Sequence, residues 1–231
     1  MSAKLYNIDV DTVSTSLSDG KKGEIMFKGT PERIAQRREE IIGACEKLYQ
    51  TMSFKEITLK EIGNETSFSR PAIYNYFQTK EEIFLALYEL EYRRWNADLE
   101  EILKEATLTG AELADRIARS LEKREQLLKL LSMNNYDMEA NSRPELLTTF
   151  KAAYGRSMTN IRCILSRFCP KIGEDEQERF IYVFFPFMFG IYPYARITEK
   201  QETAMREAKV DFVRHSIYEI TFQCLIRLLN Q

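Results

Sequence analysis

Three helix-start signals follow one another within residues 58–82, and their spacing constrains the fold more than any other feature of the chain. Thr58 opens a capping-box pattern, in which a glutamate stands three residues after the cap. Ser69 is followed two residues later by a proline, which fits the first turn of a helix. Thr79 precedes two acidic residues, which favour a first turn. The spacing predicts two short helices, the second over residues 70–77, and then a long helix.

A longer helix precedes this region. Thr30 and the proline after it fit a cap and first turn, and apolar residues recur at helical spacing to about Met52. One supporting helix followed by two short helices and a tight turn is the helix-turn-helix arrangement, although many helical bundles also contain short capped helices. Arginines on the supporting helix either contact flanking phosphates or form a solvated face; they are Arg33, Arg37 and Arg38.

The composition agrees with an all-α protein. The 231 residues include only 9 Gly and 6 Pro, whereas an average chain of this length holds roughly 27 in total. The net charge is −2, so a nucleic-acid site has to be local. Residues 66–80 provide such a local charge, because they contain Arg70 and Lys80 and no acidic residue.

Enzyme, metal and cofactor chemistry finds little support in the sequence. It contains no dinucleotide-binding, P-loop, metalloprotease or nucleophile-elbow motif. The four cysteines lack CxxC spacing, and the single histidine, His215, is expected to be a cap or interface residue. We therefore expect no catalytic residue, no metal site and no cofactor, and reduced thiols in a cytoplasmic protein. Residues 1–30 hold no apolar run, so no signal peptide is expected.

Residues 30–90 resemble the DNA-binding domain of the tetracycline-repressor (TetR) family of bacterial transcriptional regulators. The matching segments are residues 57–62 (ITLKEI), 67–77 (SFSRPAIYNYF) and 79–84 (TKEEIF). Ser67 replaces a glycine that is usual in the turn of this family, so we expect slight strain at a positive φ. Gly63 replaces a usual alanine.

The resemblance implies an all-α fold with two domains. Residues 30–80 are expected to form the three-helix helix-turn-helix domain and residues 81–231 a helical effector-binding and dimerisation domain. Residues 1–29 are expected from their polar composition to form a mobile arm or at most a small hairpin. The protein would be cytoplasmic, associated with the nucleoid when bound, and without a membrane segment.

The second short helix is expected to enter the major groove of double-stranded DNA, where its first residues reach base edges. Arg70 can bind guanine O6 and N7, the two small residues after it can contact thymine methyl groups, and Asn75 can bind adenine or phosphate. The resemblance implies that Tyr74 and Lys80 contact the backbone, whereas Tyr76 is either a core residue or a contact. The expected DNA-binding residues are Thr58, Ser69, Arg70, Pro71, Ala72, Tyr74, Asn75, Tyr76 and Lys80.

Residues 180–192 form a run rich in aromatic side chains, inside a helix predicted over residues 174–195. The run is shorter than the roughly 20 residues that a membrane span needs. Because a helix that is apolar all round has to be buried all round, one side is expected to face a symmetric partner. By analogy with the family, residues 174–195 and a last helix over residues 211–229 would form a homodimer interface.

Pro186 and Gly190 are expected to bend this aromatic helix and leave a pocket for an unidentified small molecule. If Arg116 is buried, an acidic ligand would satisfy its charge; otherwise it is exposed to solvent. Each candidate is also consistent with an ordinary core or interface position. The candidates are Trp95, Arg116, Tyr136, Tyr154, Phe184, Phe187, Met188 and Tyr192.

The resemblance thus implies a homodimeric repressor that binds a palindromic operator in successive major grooves and is released by a small molecule. One alternative is a thiol redox sensor on the same scaffold, for which Cys163 and Cys169 are poorly spaced for a direct bridge. Another alternative is a helical enzyme or interaction protein with a vestigial DNA-binding domain.

Overall fold

A computed structural model describes residues 30–133 and 135–229, and the expectation for residues 1–29 lies outside this part of the chain. The described residues form eleven α-helices and no strand, which confirms the all-α class. The helices are α1 Pro31–Thr51, α2 Leu59–Asn64, α3 Arg70–Ile73, α4 Lys80–Ile102, α5 Gly110–Glu122, α6 Glu125–Leu131, α7 Asn135–Ala140, α8 Pro144–Phe168, α9 Glu174–Ala195, α10 Glu199–Glu207 and α11 Ile217–Leu229.

The first four helices share a small apolar core. Ile41 of α1, Ile62 of α2 and Ile73 of α3 are fully buried, as are Phe77 before α4 and Phe84 within it. Complete burial of one such side chain contributes about 1.5–3 kcal/mol, so this core compensates for the low intrinsic stability of helices as short as α2 and α3.

An aromatic cluster joins α4 to α8 and α9. Tyr92 of α4 has its ring centroid 5.5 Å from that of Tyr154 on α8, and Tyr154 lies 5.6 Å from Phe185 on α9. Trp95 lies 6.0 Å from Phe185, and its indole N–H donates to the Ser120 hydroxyl at 3.0 Å. The indole is therefore both buried and hydrogen-bonded, as a core tryptophan should be.

Two predicted helices differ in extent from the observed ones. The helix expected over residues 70–77 ends as an α-helix at Ile73, because the amides of Asn75 and Tyr76 bond to carbonyls three residues earlier. Tight turns of this kind carry Phe77 into the core. Thr109 and Glu112 form a capping-box pattern that predicts a single helix through Leu131. The structure divides this helix into α5 and α6, since Arg124 leaves the helical conformation with φ −108° and ψ 41°.

The C-terminal region contains one more helix than expected. The helix predicted over residues 211–229 begins at Ile217, where the amide of Glu219 bonds to the hydroxyl of Ser216 and the Glu219 carboxylate accepts from the Ser216 amide. Helix α10 precedes it, begun by a capping box between Thr198 and Gln201. Both starts follow from capping pairs that are visible in the sequence.

Over the described ranges, no single helix is both long and apolar enough to cross a membrane. Helices α9 and α10 satisfy length and composition only when taken together, and they meet at an angle of 82°.

Candidate nucleic-acid interface

Helix α2 supports the beginning of α3 at close range. The Thr58 hydroxyl accepts from the Lys60 amide at 3.2 Å and also bonds to the carboxylate of Glu61, so it caps α2 as expected. A methyl group added at Gly63 would lie 3.4 Å from the Cα and Cβ of Arg70. An alanine would therefore also fit between α2 and α3 at van der Waals distance, and the backbone at Gly63 has no positive φ that would require glycine.

The turn between α2 and α3 is fastened to α1. The Ser67 amide donates to the Glu40 carboxylate at 2.5 Å, and the Arg37 guanidinium donates to the Ser67 hydroxyl at 3.2 Å. The expectation of a positive φ at Ser67 is wrong, because Lys209 is the non-glycine residue with positive φ in the described part of the chain. Hydrogen bonds from α1, and not a residue in the left-handed conformation, stabilise this turn.

Two of the three α1 arginines are used inside the domain. The Arg37 guanidinium lies 4.6 Å from the centroid of the Phe68 ring, and that of Arg38 lies 4.5 Å from Phe77. Burial lowers the pKa of Arg38, with Glu89 acting in the opposite direction. These charges stabilise the α3 region through cation–π contacts, whereas Arg33 is exposed. The sequence analysis left phosphate contact and solvation open for these arginines, and the cation–π contacts are a third role that only the tertiary structure reveals.

Helix α3 presents a continuous exposed surface. Ser69, Arg70, Pro71 and Asn75 are exposed, and Tyr74 has 44% of its surface accessible although it is aromatic. The Arg70 guanidinium donates to the Tyr74 hydroxyl at 3.3 Å, so the structure brings together the proposed base reader and a proposed backbone contact. The Ser69 hydroxyl makes no cap bond in α3. Thr58 is also exposed, at the start of α2.

The other three predicted contacts are less accessible. Ala72 and Tyr76 are half-buried, and the Tyr76 ring lies 6.2 Å from Phe68. The Lys80 ammonium donates to the carbonyls of Phe54 at 2.9 Å and Ile57 at 3.3 Å. It also lies 4.2 Å above the Phe54 ring. Two of the three N–H donors of the ammonium are therefore bonded to the loop between α1 and α2 in this structure.

The predicted ligand-binding residues occupy different surroundings. Trp95, Phe184 and Met188 are fully buried, while Tyr154, Phe187 and Tyr192 are half-buried. Arg116 is exposed and pairs with Glu105 at 3.1 Å, so the structure supports the solvated interpretation of its charge. Tyr136 is 84% exposed on α7. The structure thus brings Trp95 and Tyr154 into the aromatic cluster and leaves Arg116 and Tyr136 on the surface.

A mainly apolar groove of about 360 Å³ lies between α9 and the segment before α11. Phe187 lines it, together with the two residues that the sequence singled out for a bend, Pro186 and Gly190. The remaining lining residues were not expected there; they are Tyr194, Phe212, Val213, His215 and Ile220.

The cysteines show no paired arrangement, and all four are free thiols. Burial raises the pKa of the Cys45, Cys169 and Cys224 thiols, which lowers the fraction of reactive thiolate. Cys163 is exposed on α8. Among the described residues, no three His, Cys, Asp or Glu side chains form a group that could hold a metal ion.

Comparisons with known proteins identify both parts of the chain. Residues 41–87 match the model for bacterial regulatory proteins of the TetR family, and residues 89–225 match that of the tetracycline repressor-like C-terminal domain. An uncharacterised helix-turn-helix transcriptional regulator of Bacillus subtilis, YfiR, is 34% identical over 62 residues. This match covers 27% of the present chain and 30% of the relative, so it concerns only a part of both proteins.

Solved structures share the fold at low sequence identity. The fatty acid degradation regulator FadR of Bacillus halodurans has a TM-score of 0.55 at 14% identity, over 87% of this chain and 96% of that one. A protein of unknown function from Rhodococcus sp. RHA1 has a TM-score of 0.56 at 19% identity, over 90% and 100%. A Mesorhizobium loti protein described as a TetR-family regulator gives 0.54 at 19% identity, over 86% and 97%.

The two family matches together cover most of the described residues, and the helix-turn-helix precedes a helical C-terminal domain as in that family. The protein is accordingly a regulator with a DNA-binding helix-turn-helix and not an enzyme. The chain belongs to the TetR family of transcriptional regulators.

Proposed function

We propose that this regulator is a homodimeric repressor, which binds a palindromic operator and is released by a small molecule. The observation that carries the proposal is the exposed surface of α3 and of the turn that follows it. Arg70 bonds to Tyr74 there beside exposed Asn75, while Ile73 is buried in the core. In our proposal, the arginine fork contacts base edges and the tyrosine hydroxyl contacts the phosphate backbone. The nine predicted residues are our proposed DNA contacts.

The domain division is part of the proposal. We place the DNA-binding domain at residues 30–80 and the effector and dimerisation domain at residues 81–231, with the boundary at the start of α4. Helix α4 contacts both α1 and α8, so it is shared between the two domains.

A second copy of the chain would cover the outer face of α9. Tyr182, Val183, Pro186 and Phe189 follow one another at helical spacing on this face, and all are exposed in the single chain. Of the eight large hydrophobic side chains exposed in the described residues, six lie on α9 or within residues 210–213. Such a concentration favours an isologous interface formed by α9 and the region that includes α11.

We place the effector beside the aromatic cluster between α4, α8 and α9. Tyr154 is half-buried there, so the cluster extends from Trp95 in the core towards the surface. Binding can release the operator only through different affinities for the two subunit arrangements. Trp95 is the single tryptophan of the chain, and its emission is therefore a direct probe for ligands in this region.

Selection from a pool of random DNA duplexes tests the proposal. We expect the full chain to enrich a two-fold symmetric sequence whose half-sites lie about 34–36 Å apart, or a multiple of that distance. Enrichment of an asymmetric single half-site would contradict the dimer. Failure to enrich any duplex would contradict the operator itself and favour an interaction protein with a vestigial DNA-binding domain.

A further inference from the structure

The junction between α7 and α8, residues 141–143, is bonded to the turn 76–82, in which the residues that follow α3 lead into the first residues of α4. The Thr79 hydroxyl donates to the Asn141 carbonyl at 3.0 Å, and Arg143 bonds to the same turn at two points. These residues are more than 60 positions apart in the chain, and no pattern in the sequence connects them. The contact joins the C-terminal half of the molecule directly to the DNA-binding region.

Arg143 is the centre of this contact. Its Nε donates to one carboxylate oxygen of Glu82 at 2.7 Å, and its Nη2 donates to the other at 3.0 Å. The same Nη2 donates to the Tyr76 carbonyl at 3.1 Å, and the Arg143 amide donates to Glu82 at 3.2 Å. The Glu82 side chain is only 1% exposed. The paired geometry suits an arginine, since a lysine ammonium cannot reproduce two parallel bonds and a third at the carbonyl.

The carbonyl that Arg143 holds lies at the end of the α3 region. The amides of Tyr76 and Phe77 both bond to the Ile73 carbonyl, so this turn continues directly from the recognition helix. Arg38 of α1 also donates to the Tyr76 carbonyl, at 3.4 Å. One backbone oxygen, three residues after the end of α3, is therefore held from α1 and from the residue that precedes α8.

The remainder of α8 runs beside the proposed effector region. Phe150 lies 4.8 Å from Tyr88 of α4, and Tyr154 lies 5.5 Å from Tyr92. Pro144 begins α8 immediately after Arg143, which occupies the N-cap position. A shift of α8 against α4 would therefore move Arg143 relative to Glu82 and to the Tyr76 carbonyl.

We infer that Arg143 is a positioning residue for operator binding, which fixes α3 relative to α4 through Glu82 and the Tyr76 carbonyl and transmits movements of α8 to the recognition helix. The inference rests on the proposed operator-binding function and adds to it a named connection between the two domains. Arg143 itself is assigned no contact with DNA.

Arg156 within α8 provides a matched control. Arg156 donates through Nε at 3.0 Å and through Nη2 at 2.7 Å to Glu100, so this pair also joins α8 to α4. The side chains of Arg156 and Glu100 are 65% and 39% exposed, respectively. Since the pair contacts no residue of the turn 76–82 among its described bonds, its loss removes an α8–α4 ion pair without releasing the Tyr76 carbonyl.

The test compares Arg143→Met, Arg143→Lys and Arg156→Met in the full chain. Binding is measured to the duplex that the wild type enriches from a random pool, and to a shuffled duplex of the same composition. Emission from Trp95 and thermal unfolding verify that the core is intact. We expect both Arg143 variants to lose operator affinity by about 5- to 150-fold, the usual range for coupled sites. The affinity of the Arg143 variants for the shuffled duplex should stay within twofold of the wild type. The affinities of Arg156→Met for both duplexes should do the same.

A merely structural role would lower binding to both duplexes in proportion to the unfolded fraction. Proportional loss on both duplexes overturns the inference, as does wild-type operator affinity in either Arg143 variant. If Arg143→Met does not fold, Arg143→Lys decides, because it keeps the charge beside Glu82. If the wild type enriches no duplex, the proposed function fails, and this outcome is distinct from wild-type binding that is insensitive to Arg143.

Discussion

Substitution of Val183 by glutamate should dissociate the proposed dimer. The valine lies on the exposed apolar face of α9 and is itself 50% exposed in the single chain. Complete burial of a valine contributes about 1.5–3 kcal/mol, so burial of the exposed half contributes about 0.8–1.5 kcal/mol in each subunit. Because an isologous interface uses the same residue twice, the lost apolar contribution is about 1.5–3 kcal/mol per dimer.

The introduced charge adds to this loss. An unpaired carboxylate at a buried interface position costs several kcal/mol, and two such groups enter the symmetric dimer. We therefore expect the dimer dissociation constant to rise by at least about 1,000-fold, which corresponds to roughly 4 kcal/mol. Sedimentation velocity over a series of protein concentrations measures this constant directly.

Two comparison variants make the result specific. Val183→Ala removes only the apolar contribution and should weaken the dimer far less than Val183→Glu. Tyr136→Glu places the same charge at an exposed aromatic residue of α7, a helix outside the proposed interface, and should leave the dimer intact. A Val183→Glu variant with the wild-type dissociation constant, or a wild type that stays monomeric, would refute the assignment of this face.

Three further predictions concern the DNA-binding domain and helix α4, which adjoins it. Gly63→Ala should raise the free energy of unfolding by about 0.5–1 kcal/mol, because alanine has the higher helix propensity and its methyl group would lie 3.4 Å from Arg70, an ordinary contact distance. Urea denaturation measures this change, and a destabilised variant would show that the contact is too tight. Lys80→Met should lower stability by about 1.5–3 kcal/mol through loss of charged hydrogen bonds, and should also reduce the salt dependence of operator binding; unchanged values of both would contradict the dual role. Burial opposes ionisation of Glu82, but hydrogen bonds from Arg143 outweigh this effect and hold the pKa of Glu82 below its usual range. The ionised Glu82 therefore contributes fully to stability above about pH 4.3, and this contribution is lost as the pH falls through the lower folded-state pKa. Glu82→Gln should therefore flatten the acid side of the stability–pH curve, whereas at Glu91, where burial raises the pKa, the same change should not.

Local signals predicted much of the helical architecture. Thr58, Thr79 and Thr109 each accept a hydrogen bond from an amide two or three residues later, as their spacing indicated. Capping depends on neighbours in the chain, so it can be inferred without knowing the fold. The same reasoning would have found the start of α10 at Thr198 and that of α11 at Ser216, whose capping partners are equally visible.

Side-chain orientation could not be predicted in the same way. Lys80 occurs in a motif that implies a phosphate contact, yet its ammonium bonds to two carbonyls of the preceding loop. The spacing of Arg37 and Arg38 is typical of a solvated helix face, but their guanidinium groups lie over the rings of Phe68 and Phe77. These positions depend on residues that become neighbours only after folding, so their charges alone did not determine their roles.

The pocket residues show the same limit. The density of aromatic residues over 180–192 predicted extensive burial, and Phe184 and Met188 are indeed buried. Which aromatic side chains meet each other depends on how α4, α8 and α9 pack. Arg116 could be assigned to solvent only once Glu105 was found beside it.

The central claim is that α3 reads the operator through Arg70, and a binding titration of Arg70→Ala tests it most directly. Fluorescence anisotropy would compare the wild type, Arg70→Ala and Arg33→Ala on the duplex that the wild type enriches. Arg33 is an exposed arginine of α1, so its variant controls for the loss of one positive charge. A base-contacting arginine predicts a loss of about 1–3 kcal/mol for Arg70→Ala, with relaxed preference at one base position of each half-site. Operator affinity and base preference equal to those of the wild type would contradict the claim.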